Sequence, residues 1–153
     1  MKTIAKIGIL SGIGLLIYRW YKQAQDLIVG VESVTVKNID LDNLAATIAL
    51  NVEIENPLDF GVTVNGLTGI VYLQGVPVGA INAEYNYYIS GKTKHIIPIY
   101  IHTTLKAMGK AIWDGLTSGN IKNMDLDVDA KIYATKLNIG VPVQLHWGTN
   151  ELI

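Results

Sequence analysis

Strict two-residue alternation is what most limits the folds open to this chain. Over Ala45–Glu55, Ile48, Leu50, Val52 and Ile54 fall on one side, and Thr47, Asn51, Glu53 and Glu55 on the other. Successive side chains of an extended backbone point to opposite faces, so this segment is a strand with one dry and one wet face. Met124–Ile132 repeats the pattern, with Met124, Leu126, Val128, Ala130 and Ile132 inward and Asp125, Asp127, Asp129 and Lys131 outward. Ile139, Val141, Val143, Leu145 and Trp147 do the same. Strands wetted on one side belong to antiparallel sheets. Pro142 has no N–H to give a neighbour, which predicts an edge or a bulge for the last strand.

Further strands are expected at Leu27–Lys37, Leu67–Leu73, Val76–Ala80, Ala83–Ile89 and Lys94–Ile101. Gln74-Gly75, Ser90-Gly91 and the polar stretch 38–43 supply turns between them. In the first of these strands the apolar face switches at Glu32–Ser33, which predicts a bulge. About eight short strands joined by tight turns predict an antiparallel β-sandwich. One segment keeps a different period: Leu105, Met108, Ile112 and Leu116 form a helical stripe. It predicts one α-helix over Thr104–Leu116, capped by Thr103 or Thr104, stopped by Gly115 or Gly119, and closing one end of the sandwich.

Charge divides the chain in two. Residues 1–25 hold Lys2, Lys6, Arg19 and Lys22 and no acid, whereas the remainder holds all 13 acids. Within this basic head, Ile7–Tyr18 is free of charge. Extended to Ile4–Trp20, a helix would cover about 25 Å against a hydrocarbon core of about 30 Å, the lower limit for a span. Arg19 and Trp20 sit among Tyr18, Tyr21 and Lys22, as basic and aromatic residues do at a headgroup boundary. Gly8 and Gly12, four apart, leave one helix face smooth enough for another helix to approach. Ile7, Gly8, Gly12, Leu15, Leu16, Arg19 and Trp20 are therefore the expected membrane or assembly contacts. A cleaved leader is the poorer reading, because no small-x-small site follows the apolar run. A buried soluble helix is the other competitor. The chain thus divides into a head, 1–26, and a β domain, 27–153; the positive-inside rule gives no orientation, since two bases flank each side.

Chemistry is sparse. With no cysteine there is no disulfide, thiolate ligand or thiol nucleophile. His95, His102 and His146 lack the spacing of a zinc-binding helix, and neither a phosphate loop nor a nucleophile elbow is present. No catalytic residue and no cofactor are expected. Asp125, Asp127 and Asp129 share one face of one strand; a straight strand cannot wrap a calcium ion, and a solubilising face is the simpler reading. A net charge of −1 gives no reason to expect nucleic acid. Tyr85 and Tyr87 share one face and Tyr88 the other, so one face packs inward and the other is open to contact.

The segment Val52-Glu53-Ile54-Glu55-Asn56-Pro57-Leu58-Asp59-Phe60 resembles the strand-then-Asn-Pro signature of the type-2 late embryogenesis abundant proteins, the WHy domain family. Val64–Leu73, Gly75-Val76-Pro77-Val78-Gly79, and His95–Ile101 followed by Thr104–Leu116 match the family's order of elements, so the resemblance covers Leu27–Trp147. Pro57 cannot donate to a ladder and forces the strand to end, while Asn56 can organise the turn; both are structural roles. The resemblance implies an immunoglobulin- or fibronectin III-like sandwich of about seven strands with one α-helix, here preceded by an apolar helix. It also implies a non-enzymatic stress-protective or scaffolding protein. Family members held by a lipid-modified cysteine have no counterpart here, so the anchor would be residues 4–20 in a lipid bilayer. The alternative is a structural subunit of a large assembly with protein partners, such as a minor capsid or membrane protein of a membrane-containing virion.

Overall fold

Wholly buried Ile48, Leu50, Val52 and Ile54 lie on a strand with a neighbour on each side. The computed structural model describes residues 22–23, 25–134 and 139–148. Seven strands form two antiparallel sheets: β1 (Ile28–Asp40), β2 (Ala45–Asn56) and β5 (Thr93–Thr104) in the order β1-β2-β5, and β3 (Val62–Leu73), β4 (Val76–Ile89), β6 (Leu126–Ala134) and β7 (Ile139–Trp147) in the order β4-β3-β6-β7. The inward residues of both sheets belong to one hydrophobic core, with Leu67, Leu73, Leu126 and Ile132 of the second sheet as buried as the β2 row. Deleting one such side chain to alanine costs about 2–5 kcal/mol, because the lost contacts leave a cavity.

Three details differ from the sequence expectation. The expected strands Val76–Ala80 and Ala83–Ile89 are one strand, β4, because Ile81 and Asn82 continue the ladder against Gly69 and Thr68. That gives seven strands rather than eight, and β3 starts at Val62 to match them. The single expected helix is two, α1 (Leu105–Met108) and α2 (Lys110–Thr117), broken at Gly109. Gly109 has φ 85 and ψ 162, a conformation essentially closed to residues with a Cβ. Thr104 caps α1 by accepting the Ala107 N–H at 3.2 Å, while Thr103 turns into the core. Gly119, at φ 81, follows α2 and ends it.

β1 shifts register between Val31 and Ser33 and again between Val36 and Asn38. Edges are otherwise guarded by proline. Pro77 is in β4, Pro98 in β5 and Pro142 in β7, each an edge strand, and the fourth proline, Pro57, follows β2. Among the described residues β1 is the one edge strand without proline, and its two bulges twist the ladder that a passing strand would need. The chain expected as an N-terminal apolar helix, with Ile7, Gly8, Gly12, Leu15, Leu16, Arg19 and Trp20, lies outside the described residues. Among the described residues no helix is long and apolar enough to cross a membrane.

Candidate functional site

β2 ends at Asn56 because Pro57 cannot extend the ladder. The Asn56 side chain is 0% exposed. Its Nδ2 donates to the carbonyls of Phe60 at 2.8 Å and Ile89 at 3.0 Å, and its Oδ1 accepts the Leu58 N–H at 3.1 Å. One amide therefore ties the β2–β3 loop to the end of β4. The Lys92 N–H donates to the Leu58 carbonyl at 2.9 Å, and a Cβ on Gly91 would come within 2.5 Å of the Asp59 backbone. Both loops are thus pressed together, with glycine required at the contact. Above them Lys92 and Asp59 pair at 3.7 Å in the open.

The same end carries exposed apolar groups. Ile28, opposite Glu55 at the start of β1, is 55% exposed; Phe60, in the β2–β3 loop, is 49% exposed. Tyr88, opposite Thr63, is 67% exposed, and its ring occupies the space a side chain on Gly61 would take. Residues Tyr85 and Tyr87 turn the other way, against the core, with ring centres 5.2 Å apart and the Tyr87 ring 4.5 Å from that of His95. Burial raises the Tyr85 pKa, with Tyr87 adding to it.

The outer faces carry locally paired polar groups beside the exposed Ile70, Ile96 and Tyr100. On the β1-β2-β5 sheet, Thr47 Oγ1 meets His102 Nδ1 at 2.9 Å, Lys37 lies over the Tyr100 ring, and Lys94 pairs with Glu53 at 3.5 Å. On the other sheet His146 Nδ1 meets Asp127 Oδ1 at 2.5 Å. Asp125 is not part of β6: its N–H donates to Gln74 Oε1 at 3.2 Å and its carbonyl accepts the Gln74 N–H at 2.9 Å, which binds it to the β3–β4 turn. The three aspartates accordingly do not form one row along a strand. Among the described residues no group of three His, Cys, Asp or Glu side chains is placed to hold a metal ion. At the far end the Asp40 carboxylate is held below its ordinary pKa by the Asn43 side-chain amide and by the Asn43 and Asp42 N–H groups.

Sequence reasoning singled out Asn56 and Pro57, placed Phe60 in the same segment and set a turn at Ser90-Gly91, but it did not bring Gly91, Gly61 or Ile28 to this end. The signal for Gly91 was present, since a glycine after the β4 strand marks a turn, but which backbone it faces is not written in local pattern.

These features define a class: a mainly β domain of two antiparallel sheets. No family model matches the chain, and no curated protein matches it. Solved structures do. The solution structure of an Arabidopsis thaliana protein is similar with a TM-score of 0.55 and 11% identity over 77% of each chain. An X-ray structure of a structural-genomics target has a TM-score of 0.50 and 7% identity, covering 85% of this chain and 92% of that one. A protein provisionally described as late embryogenesis abundant has a TM-score of 0.43 and 10% identity, covering 92% of this chain and 84% of that one. At such identities the likeness is one of fold.

Proposed function

We propose that this is a non-catalytic, membrane-tethered protein of the type-2 late embryogenesis abundant kind, with an immunoglobulin/fibronectin III-like sandwich that acts through surface contacts. The observation that carries the reading is the completeness of the core. The inner faces of both sheets cover each other, and Leu27, Met108, Ile112, Trp113, Leu116 and Ile121 are buried in the same cluster. Among the described residues the inner faces are already covered, and lipid is an environment that suits an apolar run such as that at 4–20. Leu27 is itself buried and β1 starts at the next residue, so the head is joined to the body without a long linker. Stress protection or scaffolding is the role the Asn56-Pro57 motif and the order of elements support.

A second reading, a structural subunit of a large assembly, is favoured by the exposed Ile96 and Tyr100 on the edge strand β5. Membrane fractionation of the full chain beside a chain lacking residues 1–25, with circular dichroism to verify folding of both, tests the tether. The full chain should sediment with membranes and the shortened one should stay in solution. Equal partitioning of the two folded proteins overturns the tether, and recovery only in fixed ratio with other proteins selects the assembly.

A further inference from the structure

We propose that the Asn56 end of the domain is a second membrane contact, at which Ile28, Phe60 and Tyr88 settle among the lipid headgroups so that the domain stands end-on upon the bilayer. The proposal rests on the tethered reading above and names the partner of that end.

Distance selects the end. From Trp20, the last residue of the apolar run, to Ile28 is eight residues. Fully extended they reach about 28 Å, and as helix about 12 Å. The backbone bond from the Asp26 N–H to the Lys22 carbonyl, 2.9 Å, closes one helical turn and brings the reach below the fully extended figure. β1 then runs for 13 residues away from this point, about 43 Å of strand. The opposite end, with Leu41 and Leu44 exposed, is therefore out of reach of the bilayer whenever the domain is upright.

Chemistry selects the posture. A domain lying on its side would press Glu53, or Asp127 and Asp129, against lipid together with the exposed Ile96, Tyr100 and Ile70, and the carboxylates resist that desolvation. Upright, the contacting groups are an isoleucine, a phenylalanine and a tyrosine, the residue types that enter the headgroup layer. Among the described residues of this end Lys22, Lys92 and Lys94 balance Asp26, Asp59 and Glu55, a balance that suits zwitterionic headgroups. The Asn56 hydrogen bonds and the close fit at Gly91 hold both loops in place, so the aromatic pair is presented without an ordering cost on contact.

The chain has no cysteine, which allows single spin labels on the full protein. Labels are placed through Ser90→Cys at the Asn56 end, Thr35→Cys and Lys131→Cys on the two outer faces, and Asp42→Cys at the far end. The full protein is reconstituted in phosphatidylcholine vesicles. At position 90, collisions with a water-soluble nickel chelate should fall severalfold and collisions with oxygen should rise, while position 42 stays open to the chelate. In the Phe60→Ser, Tyr88→Ser double variant, with unchanged thermal unfolding, position 90 should return to the value at 42. Protein that floats with vesicles while 90 remains as open as 42 overturns the second contact and leaves the tether standing. Shielding at 35 or 131 instead overturns the end-on posture. Protein that fails to float overturns the tether and this proposal with it.

Discussion

The two ends of the domain are closed by different physics. At the Asn56 end, loop carbonyls and N–H groups come together out of water, and a single buried amide satisfies three of them. At the opposite end α1 and α2 satisfy their own backbones and lay Met108, Ile112, Trp113 and Leu116 over the core. A loop closure must import polar partners, since a buried unpaired backbone group costs about 1–3 kcal/mol. A helical closure needs only an apolar face and a place to turn. The first tolerates few substitutions at the polar centre; the second is sensitive at its turn.

The largest expected effect breaks the polar closure. Asn56→Ala leaves the Phe60 and Ile89 carbonyls and the Leu58 N–H without their partner, and should lower unfolding free energy by about 3 kcal/mol. Asn56→Asp should cost more, because a buried carboxylate would face those carbonyls. Urea denaturation measures both; a loss in Asn56→Ala no larger than that of a surface substitution would mean this end is held by something else.

A paired glycine experiment sharpens the contrast. Gly91→Ala drives a Cβ into the Asp59 backbone and should cost about 2 kcal/mol by overpacking. Gly109→Ala meets nothing within 4 Å but forces an L-residue to φ 85, a cost of about 1–2 kcal/mol. D-alanine placed at 109 by chemical synthesis should restore stability, because a D-residue adopts a positive φ without the steric penalty of an L-residue. A D-alanine variant no more stable than the L-alanine one would remove conformation as the cause.

The smallest effect has the opposite sign. Thr103 is buried beside α1, and among the described residues its Oγ1 has no hydrogen-bond partner. Thr103→Val should raise the unfolding free energy by about 1 kcal/mol, read as a higher thermal midpoint. A loss of stability there would show that the hydroxyl is engaged.

How much was legible follows from how local each signal is. The rows Ile48-Leu50-Val52-Ile54 and Leu126-Val128-Ala130-Ile132 announced their faces, because period two is a property of consecutive residues, and all but Ala130, at 8%, are 1% exposed or less. The union of two expected strands into β4 was not legible. Ile81 and Asn82 become strand by pairing with Gly69 and Thr68, which are more than ten residues away. The break at Gly109 was masked by the helical stripe around it, since Leu105, Met108, Ile112 and Leu116 keep their spacing whether or not one residue between them leaves the helix. The clustering of Ile28, Phe60 and Tyr88 at one end was equally hidden, as the three come from different strands and loops.

Residue order alone specified which side of each strand is dry, where proline ends β2 and where a helix replaces a strand, because alternation, a missing N–H and a 3.6-residue stripe act between near neighbours. Which loops meet at Asn56, which glycine lies against which backbone, and which exposed side chains share an end emerged on folding. Those outcomes depend on sheet order and register, set by contacts between distant segments that compete for the same core.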